Sequence, residues 1–182
     1  MPIEVRRLAR DDAAALWALR LEALESVPEA FAESAEEHRR TSVEALAARL
    51  RSGTDENFVL GGFSDAALIG MVGFYRELRV KRRHTGGIWG MFVQAPYRGS
   101  GTGRALLTAA LTRARALHGL DSVHLSVATS QLAARSMYLR LGFRPFGLEP
   151  RALLVAGEFV DEEHLVIELH GSPKPPLRNA PR

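Results

Sequence analysis

Polar and apolar residues alternate over IEVRRL (3–8), the pattern of a half-buried strand. The period then lengthens. Asp11 or Asp12 caps a predicted helix over DAAALWALRLEAL, which sets Ala13, Trp17, Leu21 and Leu24 on one face. Pro28 breaks it, and the acidic stretch PEAFAESAEEHRR is only partly periodic. TSVEALAARL restarts a helix. Thr41 is its expected cap ahead of Ser42, because Glu44 then falls three residues on and completes a capping box. That helix ends near Ser52-Gly53. NFVLGGF and ALIGMVGFYREL read as two strands turning at Ser64-Asp65, followed by the basic loop VKRRHTGG. GIWGMFV is the next strand, stopped by Pro96.

From about Gly101 to Leu117 the apolar residues Leu106, Leu107, Ala110, Leu111, Ala114 and Leu117 recur at core spacing, and Gly119 ends the helix they predict. SVHLSVA (122–128) is a short strand. A helix over about 131–141 brings Ala134, Met137, Tyr138 and Leu141 together. The remainder, FRPFGLEPRALLVAGEFVDEEHLVIELHG, closes as two strands joined around AGEF, irregular at Pro145 and Pro150. The order of elements predicts an α/β fold, a mixed sheet with helices on both faces, in a single domain over residues 1–170. The proline-rich segment SPKPPLRNAPR (171–182) is expected to be a loose tail.

Composition narrows the field. No apolar run nears the ~18 residues of a membrane-spanning helix, and MPIEVRRLARDD lacks a signal-peptide core, so no membrane partner is expected. The absence of cysteine removes disulfides, thiolate metal sites and cysteine nucleophiles, and fits a cytoplasmic setting. The net charge of +3 comes from dispersed arginines, without the basic stripe interleaved with aromatics that a nucleic-acid binder shows. A modest positive balance suits an anionic small ligand.

One stretch carries chemistry. In YRGSGTGRALL (97–107) a glycine-rich turn leads from a strand into a helix, presenting unpaired amides at the positive helix end, an arrangement suited to a phosphate or diphosphate. Gly99, Gly101 and Gly103 permit close approach, and Arg98 and Arg104 can add charge-assisted bonds. Neither familiar phosphate loop matches. Gly103 is followed by Arg104-Ala105 where a nucleoside-triphosphate loop has lysine and a hydroxyl residue, and the dinucleotide fingerprint places its last glycine on Arg104 or Leu106.

QAPYRGSGTGRALLTAAL instead resembles the coenzyme-A signature of the GNAT N-acetyltransferases, with Arg98, Gly101 and Gly103 in its defining places. SVATSQLAARSMYLRLGFRPFG resembles the second block of that family, through Ala134, Met137-Tyr138 and Gly142-Phe143. The likeness covers roughly residues 3–170. One departure stands out: Gln131 occupies the place where the family often has asparagine.

The resemblance implies a mostly antiparallel mixed sheet splayed between its middle strands, with acetyl-CoA as cosubstrate and no metal. It implies that the backbone of Met91, Phe92 and Val93 pairs with the pantetheine arm. The diphosphate is expected on the amides of Gly99, Ser100, Gly101, Thr102, Gly103 and Arg104, with Arg98 and Gln131 as further coenzyme contacts. An N–H near Phe92 or Val93 would face the oxyanion, and Tyr138 would protonate the departing thiolate. For the base, Glu22, Glu33, Glu36, Glu77, His84 and His164 are candidates.

On the acceptor side, Phe31, Tyr75 and Trp89 offer apolar or cation–π contacts to an amine, and Glu33, Glu36 and Glu37 offer attraction to a cation. The expected acceptor is a small-molecule amine. A protein N-terminus or lysine, and a noncatalytic acyl-CoA sensor, are the alternatives. A homodimer is the default expected of the family.

Overall fold

The computed structural model describes residues 3–170. The expected tail, 171–182, lies outside them. In chain order the elements are β1 (Glu4–Arg7), α1 (Ala13–Ser26), α2 (Ala35–Arg39), α3 (Val43–Arg51), β2 (Asn57–Ser64), β3 (Ala67–Arg76), β4 (Thr85–Val93), α4 (Thr102–Arg115), β5 (Ser122–Ala128), α5 (Leu132–Arg140), β6 (Arg144–Val155) and β7 (Glu158–Glu168). The strands form one sheet in the order β1-β2-β3-β4-β5-β7-β6. All its pairings are antiparallel except β4–β5, which is parallel.

Alternation along β2 and β3 sends side chains to two cores, one on each face of the sheet. On one face Phe58, Leu60, Val72 and Phe74 meet Leu106, Leu107, Ala110 and Leu111 of α4. On the other, Phe63, Leu68 and Met71 meet Leu16, Leu19 and Ala23 of α1 and Leu50 of α3. Among the described residues no helix is long and apolar enough to cross a membrane.

Two local expectations are corrected. The face α1 buries runs through Ala13, Leu16, Leu19, Ala23 and Leu24, while Trp17 and Leu21 are only half-buried. Trp17 faces sideways instead: its indole N–H donates to the Thr41 carbonyl (2.7 Å) and its ring stacks on His38. The cap of α3 is Ser42, whose Oγ accepts from the Ala45 N–H at 3.1 Å. Ser42→Ala is therefore expected to cost about 1 kcal/mol and Thr41→Ala close to nothing, as read by urea denaturation. Helix α2 was not anticipated; Ser34 and Glu37 make a reciprocal capping box at its start.

Two irregularities in the sheet position the site. The β3–β4 register slips by one residue between Met71–Phe92 and Gly73–Trp89, leaving an extra residue in β4. Gly90 absorbs it with φ +62°, a left-handed conformation that glycine adopts without penalty. The β4–β5 ladder holds only from Thr85 to Gly87, against Ser122 to His124. Beyond Gly87 the two middle strands part.

Candidate active site

The parted strands open a cleft of about 760 Å³. Its walls are the Ile88–Val93 run of β4, the turn before α4, the second half of β5, the inner face of α5, and Val27, Ala30 and Phe31.

At one end lies the glycine-rich turn. Gly101 is the N-cap of α4 with φ +91°, so the chain enters the helix through a left-handed residue. Behind the turn, Ser100 Oγ donates to the Tyr97 carbonyl (2.6 Å) and lies 2.7 Å from Thr102 Oγ1, and Thr102 is buried. These two hydroxyls brace the turn and do not line the cleft. The backbone N–H groups from Gly99 to Arg104 meet no acceptor among the described residues. The positive end of a 14-residue helix stands behind them.

Among the described residues Arg98, Arg104 and Arg140 line the cleft, and no aspartate or glutamate does. Arg98 lies along the wall, its Nε donating to the Val93 carbonyl (3.0 Å) with the guanidinium over the Phe92 ring. Arg140 was not anticipated; the available signal was its place on α5 two residues after Tyr138.

The edge of β4 supplies further donors. Gln94 N–H donates to the Ile69 carbonyl across the β3–β4 ladder. Antiparallel alternation therefore turns both backbone groups of Val93 to the opposite edge, and its carbonyl does meet Arg98 there. The Val93 N–H faces the gap, whereas Phe92 pairs with Met71.

Tyr138 is the buried tyrosine of the cleft, 6% exposed. Its ring meets the edge of Phe143, with centroids 6.0 Å apart. The hydroxyl makes no hydrogen bond among the described residues and is not sealed from the cleft. Burial pushes the phenol's pKa up, so the group stays protonated across the neutral range.

The profile of the family described as "Acetyltransferase (GNAT) family" matches residues 17–143. The chain belongs to this family. Solved structures agree in fold. An acetyltransferase of the GNAT family from Streptococcus pneumoniae superposes with a TM-score of 0.83 at 24% identity, covering 92% of this chain and 99% of that one. A GNAT phosphinothricin acetyltransferase from Sinorhizobium meliloti, solved with acetyl-CoA, gives 0.79 at 19% identity over 92% and 89%. A ribosomal-protein-alanine N-acetyltransferase from Brucella melitensis gives 0.73 at 20% over 91% and 99%. Among curated proteins there is no match. The splayed mixed sheet expected from the sequence is the GNAT fold, and the chain is a GNAT-fold acetyltransferase.

Within this GNAT cleft the structure brings together Met91, Phe92, Val93, Arg98, Gly99, Gly101, Gly103, Arg104, Gln131 and Tyr138. Gln131 sits at the lip, where its Nε2 donates to Glu29 at 2.9 Å, tying the start of α5 to the turn Pro28–Ala30.

The expected bases do not converge on the cleft. Glu22 accepts from Gln94, Glu36 pairs with Arg40, Glu77 with Arg82, and His164 with Glu149. His84 lies at the other, paired end of β4, where its carbonyl accepts from Asp121 and Ser122. Glu33 is held by Arg20, and Glu37 caps its own helix. Phe31 and Trp89 do line the cleft; Tyr75 does not, its ring packing over Gly87 instead.

Proposed function

We propose that this GNAT chain moves an acetyl group from acetyl-CoA to the primary amine of a small molecule, by direct attack of the amine. The observation that carries this reading is the cleft itself, with a run of unpaired amides at one end, the Tyr138 hydroxyl in its wall and, among the described residues, three arginines but no carboxylate. These residues fit acyl-CoA: a diphosphate needs convergent N–H donors, and an amide-bearing arm needs a free strand edge.

When bound, the coenzyme supplies a thioester whose carbonyl carbon is open to an amine. The amides of Gly99 to Arg104 bind the diphosphate, and Arg98, Arg104 and Arg140 add charge. The gap-facing edge of β4 orients the arm. The Val93 N–H is a fixed donor for the carbonyl oxygen as it gains charge. Tyr138 holds a proton at Oη for delivery toward the sulfur.

A fixed wall favours a small acceptor over a peptide. Val27, Ala30 and Phe31 line the cleft, and the Glu29–Gln131 bond ties that segment to the start of α5. With no carboxylate or histidine in the walls among the described residues, the amine enters neutral or loses its proton through solvent. kcat/KM is then expected to rise with pH along the acceptor's own amine pKa, whichever acceptor is used. A break at one fixed pH for all acceptors would assign a protein base.

Thiol release from acetyl-CoA against a panel of amines and short peptides tests the reading. Turnover with small amines is the expected result. Turnover with peptides alone would make the chain a protein acetyltransferase, and coenzyme binding without turnover of any acceptor would make it a sensor.

A further inference from the structure

Arg20 of α1 is buried beside the acceptor end of the cleft, its side chain only 11% exposed. Two of its three nitrogens are accounted for: Nε and Nη2 each donate to Glu33 Oε2 at 3.1 Å. The third, Nη1, is enclosed and meets no acceptor among the described residues. An unpaired donor on a buried cation is costly, and pinning the 27–34 segment to α1 needs only the other two nitrogens.

What surrounds Nη1 says what it faces. The Phe31 ring lies over the guanidinium, with Cζ 4.5 Å from its centroid. On the side of β4, a β-carbon built on Gly90 would stand 3.6 Å from Nη1 and touch nothing else within 4 Å. Phe31 and Gly90 both line the cleft. Phe31 and Gly90 flank Nη1, so this enclosed donor stands directly behind the wall of the cleft. Glu33, its one carboxylate partner, is shared with His38, whose Nδ1 lies 3.5 Å from Oε1.

We infer that Arg20 anchors a carboxylate on the acceptor, so that the acceptor is an amino acid or a similar amine bearing a carboxylate. The inference rests on the acetyl-transfer reading and narrows its substrate class. Nη1 offers a charge-assisted N–H to a carboxylate oxygen, a bond that strengthens when desolvated. Protonated polyamines offer Nη1 no acceptor. The acids that would attract them, Glu33, Glu36 and Glu37, bond to Arg20, Arg40 and Ser34 and lie outside the walls.

The test uses matched pairs, an amino acid against the amine left by removing its carboxyl group, in the thiol-release assay with the full chain. Wild type is expected to favour the carboxylated member by about 10- to 100-fold in kcat/KM, and Arg20→Gln to bring the pair within about 3-fold. Equal use of both members by wild type would overturn the inference while leaving acetyl transfer standing. So would an Arg20→Gln variant that slows both members alike, the mark of a purely structural role.

A second readout needs no variant. Carboxylic acids lacking the amine should inhibit competitively against the acceptor and not against acetyl-CoA, whereas the matching alcohols should not inhibit. Inhibition against acetyl-CoA instead would place the carboxylate on the coenzyme arginines and overturn the assignment. If no amine releases thiol, the acetyl-transfer reading fails separately. Calorimetry of amino acids with the coenzyme-loaded protein then decides: binding in wild type that is lost in Arg20→Gln supports the anchor, and no binding in wild type removes it.

Discussion

Tyr138→Phe is expected to turn over acetyl-CoA about 10²- to 10⁴-fold more slowly than wild type while binding it within a factor of about two. The substitution removes one oxygen and keeps the ring, so the edge contact with Phe143 and the packing beneath α5 persist. The lost hydroxyl has no partner among the described residues, and its removal leaves no protein group unsatisfied. A defect confined to kcat would therefore report proton delivery, and a defect in coenzyme affinity would report packing.

The same variant has a second signature. Below the ordinary phenol pKa of about 10, folded and unfolded chains both hold the Tyr138 proton, and nothing differs between them. Above that value the unfolded chain ionises while the buried phenol, its pKa raised, does not, so wild-type stability falls as pH rises. Urea denaturation on either side of about pH 10 should show that fall in wild type and less of it in Tyr138→Phe. A slope identical in the two proteins would mean that the phenol is not buried as described.

Gly101→Val is the second large effect. Its backbone φ of +91° disfavours any β-carbon and a branched one most, and the residue is the N-cap on which the amide run turns. A cost of roughly 2–3 kcal/mol, taken up by straightening the turn, would scatter the donors. Acetyl-CoA should bind on the order of 100-fold more weakly by calorimetry. Because the Gly101 position has open space around it, steric overlap would not explain the loss. Retention of affinity would mean that the diphosphate does not sit on these amides.

How far the sequence foretold this molecule differs from element to element. Helix α4 was legible because it buries one face against one partner, so Leu106, Leu107, Ala110, Leu111 and Ala114 carry an undiluted period. Helix α1 was legible as a helix capped at Asp12, but its buried face was not, because it has two partners. Its sheet side buries Leu16, Leu19 and Ala23, and Trp17 serves the α2–α3 side. The same contact explains the cap of α3: the Trp17 indole takes the Thr41 carbonyl, and the helix begins one residue later, with Glu44 in its second place.

The glycine-rich turn and the helix behind it were readable because their parts are neighbours in the chain. The acceptor end was not. Arg20, Glu33 and Gly90 lie far apart in sequence, and each looks ordinary until α1, the segment before α2 and the β4 bulge are brought together. The scattered base candidates lie outside the cleft walls for the converse reason: their residue types suited the chemistry, but most are held by local partners, Glu36 by Arg40, Glu77 by Arg82 and Glu22 by Gln94.

The β4–β5 ladder joins the two halves of the sheet through only three residue pairs. That makes it a seam, and partial opening of the molecule should follow it, with β1–β4 on one side and β5–β7 on the other. A ligand lodged in the gap acts as a stitch across the seam. At a concentration 100 times its Kd it would add about 2.7 kcal/mol to the stability of the whole domain. The lifetime of the protein against proteolysis would then track the supply of its own coenzyme, with no separate sensor.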